Sequence, residues 1–355
     1  MKYALIGCGR VSTNHIRAAV HNSLEIAGVC DIVGERMEAV LAKNSLNTDS
    51  SIARYHDYER MLKDLKPDLV SIATESGKHA EIAIFCINHG CNVIIEKPIA
   101  MSLSDADRII EAANRMRVKV SVCHQNRFNI AVQKTRKALE AGRFGKLSHG
   151  SIHVRWNRNR EYYTQAPWRG TWEEDGGCLM NQCIHGIDLL LWMMGDEIES
   201  VYGATRRRLH DYLETEDIGM ALVQFKNGTL GTIEGTTNVY PKNLEATLCL
   251  FGENGTVKIG GTSTNTIEVW NFADASDSEN ETLVEKTANI YGNGHLHLFA
   301  DVIDAIVNDR EPYVDAHAGK KALEVILAIY KSQKTGLPVT LPLDDFASTD
   351  MTGTF

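Results

Sequence analysis

The first residues constrain the fold of this chain more than any other segment, because an apolar strand runs directly into a glycine turn. Lys2–Ile6 is followed by Gly7-Cys8-Gly9, and a helix-like stretch begins near Thr13. This order of strand, turn and helix is the setting in which a G-x-G sequence binds a dinucleotide. Gly7 allows the tight turn, Gly9 lets a pyrophosphate approach the backbone, and the start of the helix offers amide donors. The sequence therefore predicts a dinucleotide site at its N-terminus.

An acidic residue ends the second predicted strand. Glu25–Cys30 reads as a strand, and Asp31 follows it at the distance expected for the residue that holds the adenosine ribose. A carboxylate there accepts both ribose hydroxyls of NAD and repels the 2′-phosphate of NADP. No arginine follows at once, since the next residues are Ile32 and Val33. An ordinary turn acid is the alternative interpretation, but the surrounding pattern favours NAD as the cofactor.

The pattern of predicted secondary structure changes after the first third of the chain. Residues 1–123 alternate predicted strands with predicted helices near 13–23, 34–43, 58–65, 79–88 and 104–116. This alternation, with almost continuously apolar strands, predicts an α/β domain with a doubly wound parallel sheet. Residues 124–355 instead contain successive strands with short turns, two of them the hairpin signals Asn227-Gly228 and Asn254-Gly255. With helices near 180–194, 295–308 and 318–335, this part is predicted to be an α+β domain with a mostly antiparallel sheet.

Composition excludes several classes of protein. A net charge of −9 argues against a nucleic-acid surface, and no apolar run approaches the roughly 18 residues that a membrane span needs. The eight cysteines lack C-x-x-C pairs, which is typical of reduced thiols in a cytoplasmic protein. The closely spaced Cys178, Cys183 and His185 match no common zinc pattern, so no metal site is predicted.

Glu96-Lys97-Pro98 follows the apolar run Asn92–Ile95. This places Lys97 at the carboxyl edge of a buried strand, where the nicotinamide of a bound dinucleotide is expected. A structural ion pair with Glu96 is the alternative role for the lysine. The turn into proline favours side chains that point into a cleft.

These motifs, together with His79, His185 and Asp188, resemble the glucose–fructose oxidoreductase/inositol dehydrogenase/MocA family over essentially the whole chain. The resemblance implies a Rossmann domain followed by an open-faced sheet domain, and an NAD(P)-dependent oxidoreductase that acts on sugars or polyols. It also implies pairing through the open sheet into homo-oligomers, either dimers or tetramers. The residues that it places at the cofactor are Gly7, Gly9, Arg10, Val11, Asp31, Thr74, His79, Glu96, Lys97 and Gln125.

The family's catalytic lysine and histidine correspond to Lys97 and His185. We expect His185 to accept the hydroxyl proton and Lys97 to donate a hydrogen bond to the same oxygen. Helical spacing places Asn181, His185 and Asp188 on one face of a predicted helix. A buried core histidine is the alternative role for His185. Many family members have aspartate where this chain has Asn181, and an amide cannot raise the basicity of the histidine as a carboxylate would.

The segment Arg155–Trp172 contains four arginines, five aromatic residues and a single carboxylate. Guanidinium groups bind phosphate and carboxylate, and aromatic rings pack against sugars or bases. A loop held by aromatic packing is the alternative. The segment therefore favours an anionic substrate larger than a free polyol. Residues predicted to bind it are Arg127, Arg158, Tyr163, Arg169, Trp172, Asn181, Gln182 and His185.

Several of these segments also resemble one branch of the family, the bacterial UDP-N-acetylglucosaminuronate 3-dehydrogenases of surface-polysaccharide synthesis. The resemblance implies NAD-dependent oxidation of the C3 hydroxyl of a nucleotide-linked sugar. Dehydrogenation of a free polyol such as an inositol is the alternative activity. A non-catalytic, NAD-responsive regulator on the same fold is the alternative of another class, and the presence of both Lys97 and His185 favours catalysis.

Overall fold

The computed structural model describes residues 1–195, 197–274 and 292–355. The chain forms two compact units. The first comprises Met1–Ala100, Ser104–Cys123 and His295–Lys320, and the second comprises Met101–Leu103, His124–Gly294 and Lys321–Phe355. Residues 124–355 were predicted to form the second domain, whereas His295–Lys320 belongs to the first unit. Aromatic contacts explain this placement, because the ring of Phe299 packs 5.8 Å from that of Tyr3 in the first strand.

The first unit is built on a six-stranded sheet in which every pairing is parallel. Its strands are β1 (Lys2–Ile6), β2 (Glu25–Cys30), β3 (Ala53–Tyr55), β4 (Leu69–Ile72), β5 (Asn92–Ile95) and β6 (Val120–Val122). The strand order is β3-β2-β1-β4-β5-β6. The direction of winding therefore reverses between β1 and β4, and ligands of such sheets bind at the carboxyl ends of the strands near that reversal.

The second unit is built on an eight-stranded sheet. Its strands are β7 (Leu147–Arg155), β8 (Ile198–Arg206), β9 (Ile218–Phe225), β10 (Leu230–Thr236), β11 (Glu245–Gly252), β12 (Gly255–Gly260), β13 (Thr266–Phe272) and β14 (Val339–Thr340). They are ordered β13-β12-β11-β7-β10-β9-β8-β14. Among the strands of the described residues, β7 and β10 alone pair in parallel, so the sheet is mostly antiparallel, as the sequence predicts.

The helices agree with the predicted ones to within a few residues. In chain order they are α1 (Ser12–His21), α2 (Gly34–Lys43), α3 (Tyr58–Leu65), α4 (His79–Asn88), α5 (Leu103–Met116), α6 (Ile130–Glu140), α7 (Arg160–Thr164), α8 (Ile184–Met194), α9 (Gly294–Val307) and α10 (Ala316–Thr335). Among them, α6 and the short α7 were not predicted. None of the helices in the described ranges is both long and apolar enough to cross a bilayer.

Both hairpin predictions are confirmed. Asn227-Gly228 joins β9 to β10, with Gly228 at φ +84°, and Asn254-Gly255 connects β11 to β12. Inside the same unit, α8 packs closely on the sheet because Gly186 has no side chain: a Cβ there would lie 2.8 Å from Ile152 of β7. This close approach fixes the start of α8, which carries His185.

Candidate active site

The glycine turn after β1 has the shape that a pyrophosphate needs. Gly7 has φ +88°, and a Cβ on it would lie 2.6 Å from the carbonyl carbon of Ala73, so the turn accepts no other residue without strain. A Cβ on Gly9 would meet nothing within 4 Å, which leaves open space above the backbone. Arg10 is exposed and Val11 half-buried at the start of α1. This part of the predicted cofactor site fits a dinucleotide.

Asp31 is fixed at the end of β2 by backbone donors. The amides of Cys8 and Val33 each donate to one of its carboxylate oxygens at 2.8 Å. Ile32, 84% exposed, offers an apolar surface beside it. The carboxylate is therefore positioned for the ribose hydroxyls of NAD. Arg36 lies 3.9 Å from Asp31, a neighbour that the sequence analysis did not consider.

A buried carboxylate lies at the end of β5, directly before Lys97. Oε1 of Glu96 is 3.0 Å from Nε2 of His15 and 3.2 Å from Nε2 of His295, while Oε2 accepts the Lys97 amide at 3.2 Å. Burial alone would raise the pKa of the Glu96 carboxyl, but the two histidine hydrogen bonds outweigh it and hold the pKa well below its usual range. The ionised Glu96 thus anchors the backbone of Lys97, whose side chain is half-exposed.

The same cluster has the ligand types of a metal site. Donor atoms of His15, Glu96, Cys123 and His295 all lie within 4.8 Å of one another. The hydrogen bonds to Glu96 already pair both Nε2 atoms with the shared carboxylate oxygen. A buried carboxylate must be paired or hydrogen-bonded, and these bonds meet that need without a metal. We interpret the cluster as an anchor for Lys97, and the lack of a metal site remains a prediction.

His79 is buried and bridges two loops of the first unit. Its ring nitrogens lie 2.7 Å from the carbonyl of Pro98 and 3.2 Å from that of Thr74. Burial lowers the pKa of His79 against the opposing effect of these bonds, so a neutral ring donates to one carbonyl. His79 therefore positions the loop that bears Lys97. Thr74 is half-buried, whereas His79 is buried, so Thr74 has solvent-exposed surface that a cofactor can contact.

In the second unit, a π-turn carries the predicted polar residues. Leu179–Cys183 forms this wider turn immediately before α8, and such turns are frequent at functional sites. Asn181 and His185 are half-exposed, and Gln182 is buried. The ring of His185 lies edge-on to that of His124, 6.1 Å away. The partly exposed imidazole does not fit the alternative of a buried core histidine.

The arginine-rich segment separates into paired and unpaired cations. Arg155 is bound by Glu234 and Glu245, so its charge is matched within the sheet. The guanidinium carbons of Arg158 and Arg169 lie 5.1 and 4.2 Å from the centre of the Tyr162 ring. Neither of these two arginines forms an ion pair with a described residue. The segment thus places two uncompensated cations beside one tyrosine.

Three of the residues predicted to contact the substrate are buried or paired within the second unit. Tyr163 is 7% exposed, with its hydroxyl directed at Thr237, and Trp172 is 1% exposed in the core of its unit. Arg127 is buried in a bidentate pair with Asp188. Gln125, predicted at the cofactor, is 3% exposed.

Tyr162 was not predicted from the sequence; it is partly exposed and lies beside the guanidiniums of Arg158 and Arg169. The adjacent Tyr163 was predicted instead. Nothing in the sequence distinguishes the buried tyrosine from the exposed one, because the five-residue helix α7 is too short to show a periodicity.

Comparison with known proteins agrees with this architecture. A model described as an oxidoreductase family with an NAD-binding Rossmann fold matches residues 1–124, and one described as the GFO/IDH/MocA C-terminal domain matches residues 132–258. The WlbA dehydrogenase of Bordetella pertussis, solved with NADH and UDP-GlcNAcA, is 36% identical, with a TM-score of 0.85 over 97% of this chain and 99% of that one. The WlbA dehydrogenase of Chromobacterium violaceum, with the same two ligands, is 35% identical, with a TM-score of 0.86 over 97% and 96%. Myo-inositol 2-dehydrogenase of Thermotoga maritima is 24% identical over 94% of this chain and 96% of its own length.

The nucleotide-binding unit and its relatives define an NAD-dependent oxidoreductase that acts on CH–OH groups. The chain belongs to the GFO/IDH/MocA family, whose sugar dehydrogenases it resembles along nearly its whole length.

Proposed function

We propose that this protein uses NAD to oxidise the C3 hydroxyl of UDP-N-acetylglucosaminuronate, in the synthesis of a surface polysaccharide. The observation that carries the proposal is the pair of guanidiniums, Arg158 and Arg169, held against Tyr162 without a carboxylate partner among the described residues. A UDP-linked uronate brings a diphosphate and a carboxylate, and both groups bind guanidinium strongly.

The buried Nε atoms of the two half-buried arginines support a ligand at this position. Nε of Arg158 and Nε of Arg169 are both buried without a hydrogen-bond partner among the described residues. A buried donor without an acceptor costs free energy, so an anionic ligand near these atoms stabilises the arrangement. The WlbA structures were solved with UDP-GlcNAcA, a ligand of this chemistry.

The reaction needs a base and a donor for the alcohol oxygen. His185, half-exposed at the start of α8, accepts the hydroxyl proton in this proposal. Lys97, half-exposed after β5 and anchored through Glu96, donates a hydrogen bond that stabilises negative charge on the oxygen. Bound NAD supplies the acceptor for the hydride.

A free polyol is the second candidate substrate. The curated relatives include several inositol dehydrogenases, which favours it. A neutral polyol, however, leaves Arg158 and Arg169 without an anion. An NAD-responsive regulator without turnover, the alternative of another class, does not fit the oxidoreductase family to which the chain belongs.

Two further expectations belong to this proposal. The eight cysteines are free thiols, which supports a reducing compartment such as the cytoplasm. Assembly into a homo-oligomer, either a dimer or a tetramer, rests on the family resemblance.

The test is an absorbance assay for NADH with purified protein and NAD. UDP-N-acetylglucosaminuronate is compared with UDP-N-acetylglucosamine, myo-inositol and glucose. We expect turnover with the uronate and a keto product at C3 by mass and NMR analysis. Turnover with inositol alone would replace the nucleotide sugar by a polyol. No turnover with any of these substrates, also after adding a 2-oxo acid to reoxidise bound NADH, would reject both candidate substrates.

A further inference from the structure

A hydrogen-bond relay, in which the donor of each bond is fixed, runs from Asp175 through Asn181 and Gln182 to the hydroxyl of Tyr162. It begins at Asp175, which is buried and accepts the Gly170 amide at 2.7 Å on Oδ2. The Asn181 side-chain amide donates to its other oxygen, Oδ1. A side-chain amide nitrogen donates and its oxygen only accepts, so Asn181 presents Nδ2 to the carboxylate oxygen of Asp175 and turns its own Oδ1 away.

The next link follows from the first. Nε2 of Gln182 lies 2.9 Å from Oδ1 of Asn181 and 2.9 Å from Oη of Tyr162. Reversing the Gln182 amide would set two carbonyl oxygens against each other, so Gln182 donates in both contacts. The hydroxyl of Tyr162 is therefore an acceptor from Gln182.

Arg169 occupies the remaining acceptor position. Its Nη1 donates to Oη of Tyr162, and a guanidinium can only donate. A phenol has two lone pairs and one hydrogen, so both lone pairs are used. The hydrogen of Tyr162 must go to a third group, and no described residue accepts it.

We propose that Tyr162 donates this hydrogen to an anionic oxygen of the substrate, and that Asp175, Asn181 and Gln182 act as positioning residues that fix its direction. The inference rests on the proposed function for the identity of the substrate, in which the oxygen belongs to the uronate carboxylate or to the diphosphate. The positive charges of Arg158 and Arg169 beside the ring favour an oxyanion over a neutral acceptor.

This hydrogen-bond relay also accounts for the asparagine at position 181. An aspartate there would place a second carboxylate against Asp175 and could not donate to it. The direction of every later link would then be lost. Asn181 thus couples a buried anion to the orientation of Tyr162, a role that an aspartate cannot perform.

The experiment measures dissociation constants by calorimetry on the NADH-bound protein, with UDP-N-acetylglucosaminuronate, which does not turn over in that state, and with UDP-N-acetylglucosamine. Tyr162→Phe should weaken binding by about 10- to 100-fold, as expected for a lost hydrogen bond to a charged acceptor. Tyr163→Phe is the matched control, since that hydroxyl faces Thr237, and should change binding by less than about twofold.

The two ligands identify the oxygen. Weakening for the uronate alone assigns the carboxylate, and equal weakening for both assigns the diphosphate. Unchanged binding of both ligands by Tyr162→Phe would overturn the inference. Gln182→Leu should weaken binding in the wild-type background and add less than about twofold in the Tyr162→Phe background. If the losses of binding free energy of the two variants were fully additive, Gln182 would not belong to the hydrogen-bond relay.

Failure of the proposed function has a different signature. If the wild-type protein binds neither UDP ligand, the proposed function is wrong. The donor role of Tyr162 is then tested by measuring the binding of inorganic pyrophosphate and of D-glucuronate, which carry the same anionic groups. Weaker binding of either by Tyr162→Phe alone would support the donor role. Equal binding by the wild type and both tyrosine variants, or no binding by any of them, would overturn it.

Discussion

Arg127 and Asp188 form a buried bidentate ion pair in the second unit. Nε of Arg127 lies 2.8 Å from Oδ2 of Asp188, and Nη2 lies 2.6 Å from Oδ1. The guanidinium also stacks 5.0 Å from the ring of Trp192. The pair therefore ties the short 3₁₀ turn Gln125–Phe128 to α8, one helical turn after His185.

Removing one member of this pair should destabilise the protein. Arg127→Met leaves the Asp188 carboxylate buried without a partner, and such changes cost about 3–5 kcal/mol. Urea unfolding of the second unit, followed by tryptophan fluorescence, measures the loss. The double variant Arg127→Met/Asp188→Leu should recover much of it, because no unpaired charge then remains. A double variant as unstable as the sum of the two singles would show that the pair does not act as a unit.

The proposed roles of Lys97 and His185 predict loss of turnover with cofactor binding retained. Lys97→Met and His185→Asn should each lower kcat by about 10²- to 10⁴-fold, the usual contribution of general acid–base groups. NADH affinity, read by fluorescence titration, should change by less than about threefold. Lys63→Met, at an exposed lysine of α3, controls for charge removal. Wild-type kcat in either variant would exclude that residue from the chemistry.

Much of the first unit could be predicted from sequence because its signals are local. The glycine turn, Asp31 and the apolar strands each follow from a few adjacent residues. The return of His295–Lys320 to this unit could not be predicted, since it depends on long-range contacts such as Tyr3 with Phe299.

In the second unit, composition identified the arginine-rich segment but not its individual roles. Whether Arg155 is paired depends on Glu234 and Glu245, which lie far from it in sequence but on the two strands adjacent to β7 in the sheet. The π-turn before α8 likewise has no sequence signature. It shifts Asn181 and Gln182 relative to the regular helical face that the spacing predicts.

Asp31 should control the choice between NAD and NADP. Asp31→Ser removes a carboxylate from the ribose site and should weaken NAD by about 10- to 100-fold, the cost of lost charge-assisted hydrogen bonds. Arg36, 3.9 Å from Asp31 in the native protein, is then available to a 2′-phosphate, so NADP binding should improve. The measurement is the affinity for both reduced cofactors.

Arg36 supplies the matched control for this change. Arg36→Ala alone should leave NAD affinity within about threefold, whereas Asp31→Ser/Arg36→Ala should lose the gained affinity for NADP. Tight NADP binding that persists in the double variant would assign the 2′-phosphate contact to another group.

Glu216 should make the stability of the second unit depend on pH. Burial raises the pKa of its carboxyl from 4.5 to about 8, against the hydrogen bonds from the Leu179 amide and the Tyr330 hydroxyl. Because the folded state binds this proton more tightly than the unfolded state, the stabilising contribution is complete below pH 4.5 and is lost as the pH rises to about 8. Each pKa unit is worth about 1.4 kcal/mol, so the loss amounts to several kcal/mol.

Glu216→Gln removes this titration and keeps an oxygen that accepts from both Leu179 and Tyr330. The variant should therefore gain stability relative to the wild type between about pH 5 and pH 8.5, as measured by the difference in Tm across that range. Glu253→Gln, at an exposed carboxyl, controls for the removal of one negative charge. If the Tm difference between Glu216→Gln and the wild type stayed constant with pH, Glu216 would have the same protonation equilibrium in the folded and unfolded states.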